Sequence, residues 1–465
     1  MRYISTRGQS PPVSFLDAVL AGMAPDGGLY VPESWPTLLD DEAFRKRAAS
    51  DHFMMVVQHV AAAFAGQDAS IVAKAWLDGR RFSRAVTPLV LVGNGDWVLE
   101  LFHGPSLSFK DIALQFIGPL LEAALNARDR RLTVVCATSG DTGGAAVEAL
   151  RDRDRVDLFV LLPKGRVSTV QRLFMTTAGA ANVHAIEVDG DFDECQTIVK
   201  SLFADREFTS RASLSGVNSI NWARIVAQSA YFHLAANALS AWKPVNFCIP
   251  TGNFGDAYSG WVAKRVGAPI GRIALAVNAN DILARTLDSG RYERNAVSRA
   301  TLSPAMDIQV ASNFERILFE ALDRDAETLA RLYGQLAQSG GFAIPGDALE
   351  RLRADFAAAA LDDPETVQAM SEFWGNGSGY LACPHTAVAW GAWSKLNDFV
   401  GAPRVTLATA HPAKFPDAVE RATGVRPQLP ARCADLVDRR ETFDSLPADA
   451  NAVKRYIRER SRAWS

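Results

Sequence analysis

Lys110 sits in the stretch Leu101-Phe-His-Gly-Pro-Ser-Leu-Ser-Phe-Lys-Asp-Ile-Ala113, in the company of Leu107, Phe109, Ile112 and Ala113. A lysine among apolar residues loses hydration of its ammonium, so its pKa falls and the amine can act as nucleophile or base. An ammonium that snorkels out to solvent is the alternative. Three further segments offer groups that such an amine would work with. Pro250-Thr-Gly-Asn-Phe-Gly-Asp256 is a glycine-bearing turn between a strand and a helix, where backbone N–H groups can cradle a phosphate. It has neither the dinucleotide fingerprint G-x-G-x-x-G nor the Gly-Lys-Ser/Thr of a nucleotide loop, and an ordinary glycine-rich turn is the other reading. Cys136-Ala-Thr-Ser-Gly-Asp-Thr-Gly-Gly144 brings the hydroxyls of Ser139 and Thr142, with loop amides, to a helix N-terminus where a substrate carboxylate fits. Equally, Asp141 or Thr142 can cap that helix. Val405-Thr-Leu-Ala-Thr-Ala-His-Pro-Ala-Lys-Phe415 sets Thr409 near the carboxyl end of a strand, where a hydroxyl can bond a heterocycle nitrogen. His411 and Lys414 are read there as structural or surface residues.

The elements that must hold these segments follow from hydrophobic patterning. Apolar runs at 132–137, 158–162 and 183–188 alternate with helical patterns at 144–151, 167–178 and 192–203, the signature of a parallel sheet covered by helices. A second such unit starts with a strand at 245–250, turns through 251–255 and continues as a helix to 266, with Gly267 as its C-cap. The uncharged stretch 225–242 is broken by Gln228, Ser229, His233 and Asn237, so it reads as a buried core helix rather than a bilayer span. The first 95 residues form a separate lobe with helices near 15–23 and 71–77 and a Pro-Asp-Gly-Gly turn at 25–28. The basic end, 454–462, reads as a solvated helix face. At 465 residues the chain has room for two or three domains with their own cores. Lys plus Arg number 49 against 52 Asp plus Glu, a net charge of −3 that argues against nucleic acid as the main partner. Five scattered cysteines and seven dispersed histidines give no disulfide framework and no metal spacing, and no G-x-S-x-G or H-E-x-x-H occurs.

Taken in order, the motifs resemble the threonine synthase family, pyridoxal-phosphate enzymes of the tryptophan-synthase-β (fold type II) superfamily, over nearly the whole length. Met1-Arg-Tyr-Ile-Ser-Thr-Arg-Gly8 and Ala24-Pro-Asp-Gly-Gly-Leu-Tyr-Val-Pro32 look like that family's opening, and His103-Gly-Pro-Ser-Leu-Ser-Phe-Lys-Asp111 like its cofactor-lysine motif. Ser139-Gly-Asp-Thr-Gly143, Asn218-Ser-Ile-Asn-Trp-Ala-Arg224, Gly252-Asn-Phe-Gly-Asp256, Ser312-Asn-Phe-Glu-Arg316, Pro384-His-Thr-Ala387 and Thr409-Ala-His-Pro-Ala-Lys-Phe415 are similar in turn.

The resemblance implies an α/β fold of type II with two parallel-sheet domains: an N-terminal lobe (1–95), a small domain (131–240) and a large cofactor-binding domain (96–130 and 241–465). It implies that Lys110 holds pyridoxal 5'-phosphate and serves as the base. Gly252, Asn253, Phe254, Gly255 and Asp256 would bind the cofactor's phosphate, and Thr409 would meet the pyridine nitrogen, a hydroxyl partner that makes a milder electron sink than a carboxylate. Asp141 stands where related enzymes place an Asn against the ring 3-oxygen, which passes that contact to Asn218 or Asn221. Ser139 and Thr142 would lie near the substrate carboxylate, with Asp141 among the substrate-binding residues. Arg224 would take the leaving phosphate, or be a structural ion-pair partner. The implied reaction turns O-phospho-L-homoserine and water into L-threonine and phosphate by β,γ-elimination and addition of water at Cβ. A lyase that stops at the keto acid, and a non-catalytic sensor of a phosphorylated amino acid, are the rival readings. A cytoplasmic monomer or homodimer, without metal, membrane or nucleic acid, completes the expectation.

Overall fold

The computed structural model describes residues 1–38, 53–78, 86–93, 95–138, 140–241, 243–295, 297–375, 378–399 and 401–465. Two parallel sheets carry the architecture. The smaller has five strands in the order β15-β7-β6-β5-β8, all parallel: β5 (Leu132–Ala137), β6 (Val156–Pro163), β7 (Val183–Asp189), β8 (Leu214–Ser215) and β15 (Asp444–Pro447). β6, Val-Asp-Leu-Phe-Val-Leu-Leu-Pro, is buried at every position, as a central strand covered on both faces must be. The larger has six strands in the order β13-β10-β9-β14-β4-β3: β3 (Leu89–Gly93), β4 (Asp96–Glu100), β9 (Val245–Pro250), β10 (Ile270–Val277), β13 (Phe356–Ala360) and β14 (Arg404–Ala408). Only β3 runs antiparallel to its neighbour. A short antiparallel pair, β1 (Tyr3–Ser5) with β2 (Tyr30–Pro32), belongs to the N-terminal part, and another, β11 (Arg291–Glu293) with β12 (Gly341–Ala343), borders the cleft.

The helix Trp222–Leu239 is buried continuously from Trp222 to Ala236, which accounts for the even spread of apolar residues around it. Helix Lys110–Ala127 packs against helix Asp141–Leu150 so closely that a Cβ on Gly118 would lie 2.3 Å from the Ala149 carbonyl oxygen. Among the described residues no helix is long and apolar enough to cross a membrane, and none of their His, Cys, Asp and Glu side chains gather in threes to hold a metal. All five cysteines are free and buried.

The strand pairings depart from the expected division of the chain in two places. β3, within the expected N-terminal lobe, lies in the six-stranded sheet, because its alternating residues pair with β4. The C-terminal segment, expected in the large unit, returns to the small one: β15 pairs with β7, and Val453, Tyr456 and Ile457 of helix Ala450–Arg460 pack on Ile198 and Leu202. The basic end is accordingly no free solvated face. Lys454 pairs with Asp205 at 2.7 Å and Arg462 with the buried Asp157 at 2.7 Å.

Candidate active site

Helix Lys110–Ala127 begins at the candidate lysine, and the turn before it is built to hold that start still. The Asp111 carboxylate folds back to accept from the Ser106 hydroxyl (2.7 Å) and amide (2.9 Å) and from the Ser108 amide (3.3 Å). A side chain on Gly104 would collide with it, its Cβ falling 2.3 Å from the Asp111 Cβ. Leu107 adopts a left-handed φ of 62°, and the turn is then stitched to the segment after β14: Phe109 N–H donates to the Thr409 carbonyl at 2.8 Å and His411 N–H to the Leu107 carbonyl at 3.1 Å. Burial pushes the Asp111 carboxyl up to about 6.

Lys110 projects from this turn with its side chain only 11% exposed. Burial brings its ammonium down to about 8; Asp141 opposes the shift, while Arg224 and Lys414 add to it. At pH 7 about one-tenth of such amines are neutral, several hundred times more than for an ordinary lysine. Its Nζ lies 3.7 Å from Oδ2 of Asp141 and 4.6 Å from the centre of the Phe109 ring. The other oxygen of Asp141 accepts from Gln171 Nε2 at 2.8 Å and meets the Lys414 ammonium at 2.8 Å. Although burial favours the neutral acid, Lys414 and Lys110 hold this carboxyl well below the usual carboxylate range. The helix that Asp141 starts is satisfied neither by Asp141 nor by Thr142: the Thr138 hydroxyl accepts from the Gly140 (2.9 Å) and Gly143 (3.0 Å) amides. The Thr142 side chain therefore stays available to the cleft, whereas Asp141 keeps only Oδ2 clear of Gln171 and Lys414.

Across the cleft, β9 ends in the turn Thr251 to Phe254 and the helix Gly255–Arg265. Phe254 takes a left-handed φ of 61°, and no side chain caps the helix, so its first amides point outward without an intrahelical partner. The turn's backbone is pinned by Asn313, whose N–H donates to the Asn253 carbonyl at 3.0 Å. There is no room for a side chain at Gly252, whose Cβ would fall 2.7 Å from the Ala305 carbonyl oxygen. Asp256, one residue into the helix, accepts from the Tyr231 hydroxyl through Oδ1, while Oδ2 is buried without a partner. Burial raises its carboxyl to about 7, against the pull of Tyr231, Lys110 and Arg224. Arg224 is buried, donates from Nη1 to the Val217 carbonyl at 3.3 Å, and keeps its Nε unpartnered. Burial lowers its pKa to about 10.

These groups share one cleft of about 1190 Å³, lined by residues that follow the carboxyl ends of β5, β9 and β14. Lys110, Asp141, Thr142, Asn218, Arg224, all of Gly252 to Asp256, and Thr409 face it. Ser139 lies outside the described residues. Asn221 is not on the cleft wall: it caps helix Trp222–Leu239, accepting from Ala223 N–H at 3.1 Å and donating to the Val19 carbonyl at 2.8 Å, so both ends of its amide are taken. That leaves Asn218 alone of the two candidate asparagines. Lys414, read from sequence as structural or exposed, is 1% exposed and bonds Asp141 and the Ser106 carbonyl. His385 also lines the cleft; its Nε2 faces the Ala305 amide at 3.3 Å, its Nδ1 has no partner, and burial lowers its pKa to about 4. The only signal for it was its motif, Pro384-His-Thr-Ala387, which in isolation carries no chemistry.

An amine of depressed pKa, an uncapped helix start walled by a glycine that admits no side chain, a buried hydroxyl at a sheet's carboxyl end and a buried arginine with a spare N–H together fit an aldehyde cofactor that bears a phosphate. The family model described as pyridoxal-phosphate dependent enzyme matches residues 83–407. The protein is thus a pyridoxal-phosphate-dependent enzyme of fold type II. The models described as threonine synthase N terminus and threonine synthase, C-terminal match residues 2–74 and 386–457. Threonine synthase from Pseudomonas aeruginosa is 43% identical over 462 residues, 98% of each chain. The crystal structure of PLP-bound threonine synthase from Brucella melitensis superposes with a TM-score of 0.94 at 46% identity over 100% of both chains. That of the yeast enzyme superposes at 0.92 and 36% identity, over 99% of this chain and 98% of the other. The chain belongs to the threonine synthase family.

Proposed function

We propose that this protein converts O-phospho-L-homoserine and water into L-threonine and phosphate, the last step of threonine biosynthesis. The observation that carries the reading is the largely buried Lys110 amine facing, in one cleft, both an uncapped helix N-terminus and a buried arginine. Pyridoxal phosphate, held through Lys110, supplies the electron sink that acidifies the substrate's Cα–H. The chain's own groups do the rest. The amides at Gly255 and Asp256, with the turn Gly252 to Phe254, bind the cofactor's phosphate at the positive end of the helix. Thr409 offers its hydroxyl to the ring nitrogen, and Asn218 stands by for the ring oxygen. Thr142 and the loop of Ser139 and Asp141 orient the substrate's carboxylate, and Arg224 draws the γ-phosphate away with charge-assisted hydrogen bonds. The Lys110 amine would take the proton from Cα and give it up, and would then carry one from Cβ to Cγ as the γ-phosphate leaves with a proton; water would supply the hydroxyl at Cβ and the proton that returns to Cα.

The test is an absorption spectrum of the purified protein and its K110A variant, followed by product analysis with O-phosphohomoserine. A Lys110-dependent band, with threonine and phosphate formed in equal amounts, is the expected result. Phosphate with 2-oxobutyrate and no threonine makes the protein a phospho-amino-acid lyase on the same scaffold, and absence of the band removes the cofactor reading. The proposal extends to a cytoplasmic monomer or homodimer that acts on a small molecule and binds no nucleic acid. The near-neutral charge balance and the five unpaired cysteines support it, and sedimentation and cell fractionation test it.

A further inference from the structure

The carboxylate nearest Lys110 is shared unequally between two lysines. Asp141 meets the Lys414 ammonium at 2.8 Å and the Lys110 ammonium only at 3.7 Å. Oδ1 is saturated by Lys414 and by Gln171 Nε2, both at 2.8 Å, which fixes the carboxylate so that Oδ2 faces Lys110 without reaching it. Lys414 is itself fixed from behind, donating to the Ser106 carbonyl at 2.8 Å in the turn that sets the start of the Lys110 helix. It is 1% exposed and lies with its Nζ 5.5 Å from the Phe174 ring centre, so water cannot replace it. An isolated buried carboxylate 3.7 Å from an amine would close on it and lock the proton there.

We propose that Lys414 is a positioning residue of this site: its ammonium and the Gln171 amide occupy Asp141, so that the carboxylate holds Lys110 by charge at a distance without hydrogen bonding it. The Lys110 amine is thereby left unclamped, free to condense with a carbonyl and later to swing as a base. The inference rests on the reading of Lys110 as the cofactor lysine and assigns Lys414 a part in it. The other charged groups facing Lys110 are common to every variant compared, including Asp256, whose carboxyl is raised to about 7. Arg224, from helix Trp222–Leu239, repels its proton, as does Lys414, and Asp256, from helix Gly255–Arg265, attracts it. His385, from helix Pro384–Ala392, is kept neutral by burial. Asp111, the next residue on its own helix, is turned away onto Ser106 and Ser108. Without Lys414, one source of repulsion goes and the Asp141 carboxylate is released to Lys110; both changes push the Lys110 pKa upward.

The experiment follows the rate at which the full chain, stripped of cofactor, takes up added pyridoxal phosphate, read from the Lys110-dependent absorption band across pH. The rate tracks the neutral fraction of the Lys110 amine. K414M is expected to move the midpoint of this profile up by one unit or more, making uptake at pH 7 about tenfold slower, and K414R to restore it. D141N is expected to move it down by a similar amount. A folded K414M with an unmoved or lowered midpoint overturns the proposal. So does D141N with the wild-type midpoint, which decides the matter even if K414M fails to fold. Because product identity does not enter, threonine or 2-oxobutyrate as the end product leaves this result intact. A wild-type chain that forms no Lys110-dependent band overturns the cofactor reading and this inference together.

Discussion

Asp256 gives the sharpest quantitative test of the site's electrostatics. Its carboxyl is buried beside the turn Gly252 to Phe254, with one oxygen on Tyr231 and the other bonded to nothing, and burial raises it from 3.8 to about 7. The native state then binds a proton between those two values that the unfolded chain does not, so stability falls as pH rises through that window. A shift of about three units corresponds to ~4 kcal/mol, fully present as a cost by about pH 8 and absent below about pH 4. D256N preserves the shape and the acceptor for Tyr231 while removing the titration. Its amide leaves a fixed penalty where Oδ2 stood, the same at every pH. The difference in stability between D256N and the wild type is therefore expected to shift by ~4 kcal/mol in favour of the variant between about pH 4 and pH 8. Urea unfolding of the cofactor-free chain, followed by tryptophan fluorescence at each pH, measures it. The titrations of Asp111 and Lys110 occur in both proteins and largely cancel in the comparison. A difference that stays flat across this range would refute the burial argument for the whole cluster.

T138V removes the acceptor of two buried amides, those of Gly140 and Gly143, and is expected to lower stability by about 2–4 kcal/mol, against less than about 1 for T142V; thermal unfolding of the pair separates the cap from the cleft residue. G118A pushes helix Lys110–Ala127 off the Ala149 carbonyl and is expected to cost about 1–3 kcal/mol in the same assay. Because Lys110 starts that helix, the variant should also retain less cofactor through dialysis. R316M strips the fully buried Arg316 from the carbonyls of Tyr30 (3.0 Å) and Ile220 (2.6 Å) and from Asn313, which pins the turn Gly252 to Phe254. It is expected to lose about 2–4 kcal/mol and to release cofactor at a lower temperature than the wild type, read by the loss of the visible band on heating.

What the sequence discloses and what it conceals divide along chain separation. β5 and β9 are legible to the residue because a strand buried on both faces writes itself as an unbroken apolar run. The placement of Lys110, of the turn Gly252 to Phe254 and of Thr409 on one cleft is legible because each lies at a local junction of strand, loop and helix. The role of Thr138 is not legible, since several adjacent residues are equally competent caps and only the backbone path chooses among them. Lys414 could not be recognised from its surroundings: its partners, Asp141 and Ser106, are brought to it only by the fold. Asn221 looked like a ligand residue because it shares a motif with Arg224, yet its amide is spent on its own helix and on Val19. β15 is invisible in the sequence because a short, mostly exposed strand at a sheet edge carries almost no hydrophobic signature.

That same strand bears on how the protein is made. β5, β6, β7 and β8 leave the ribosome long before residues 444–457, so the five-stranded sheet must wait with the β7 edge open and with Ile198 and Leu202 lacking their cover from Val453, Tyr456 and Ile457. An open edge of a parallel sheet is a template for any other strand, including one from a neighbouring nascent chain. The final yield of soluble protein therefore depends on sequence far from the cleft: damage to residues 444–457 should appear as aggregation during synthesis, while molecules that have already closed the sheet keep an intact site.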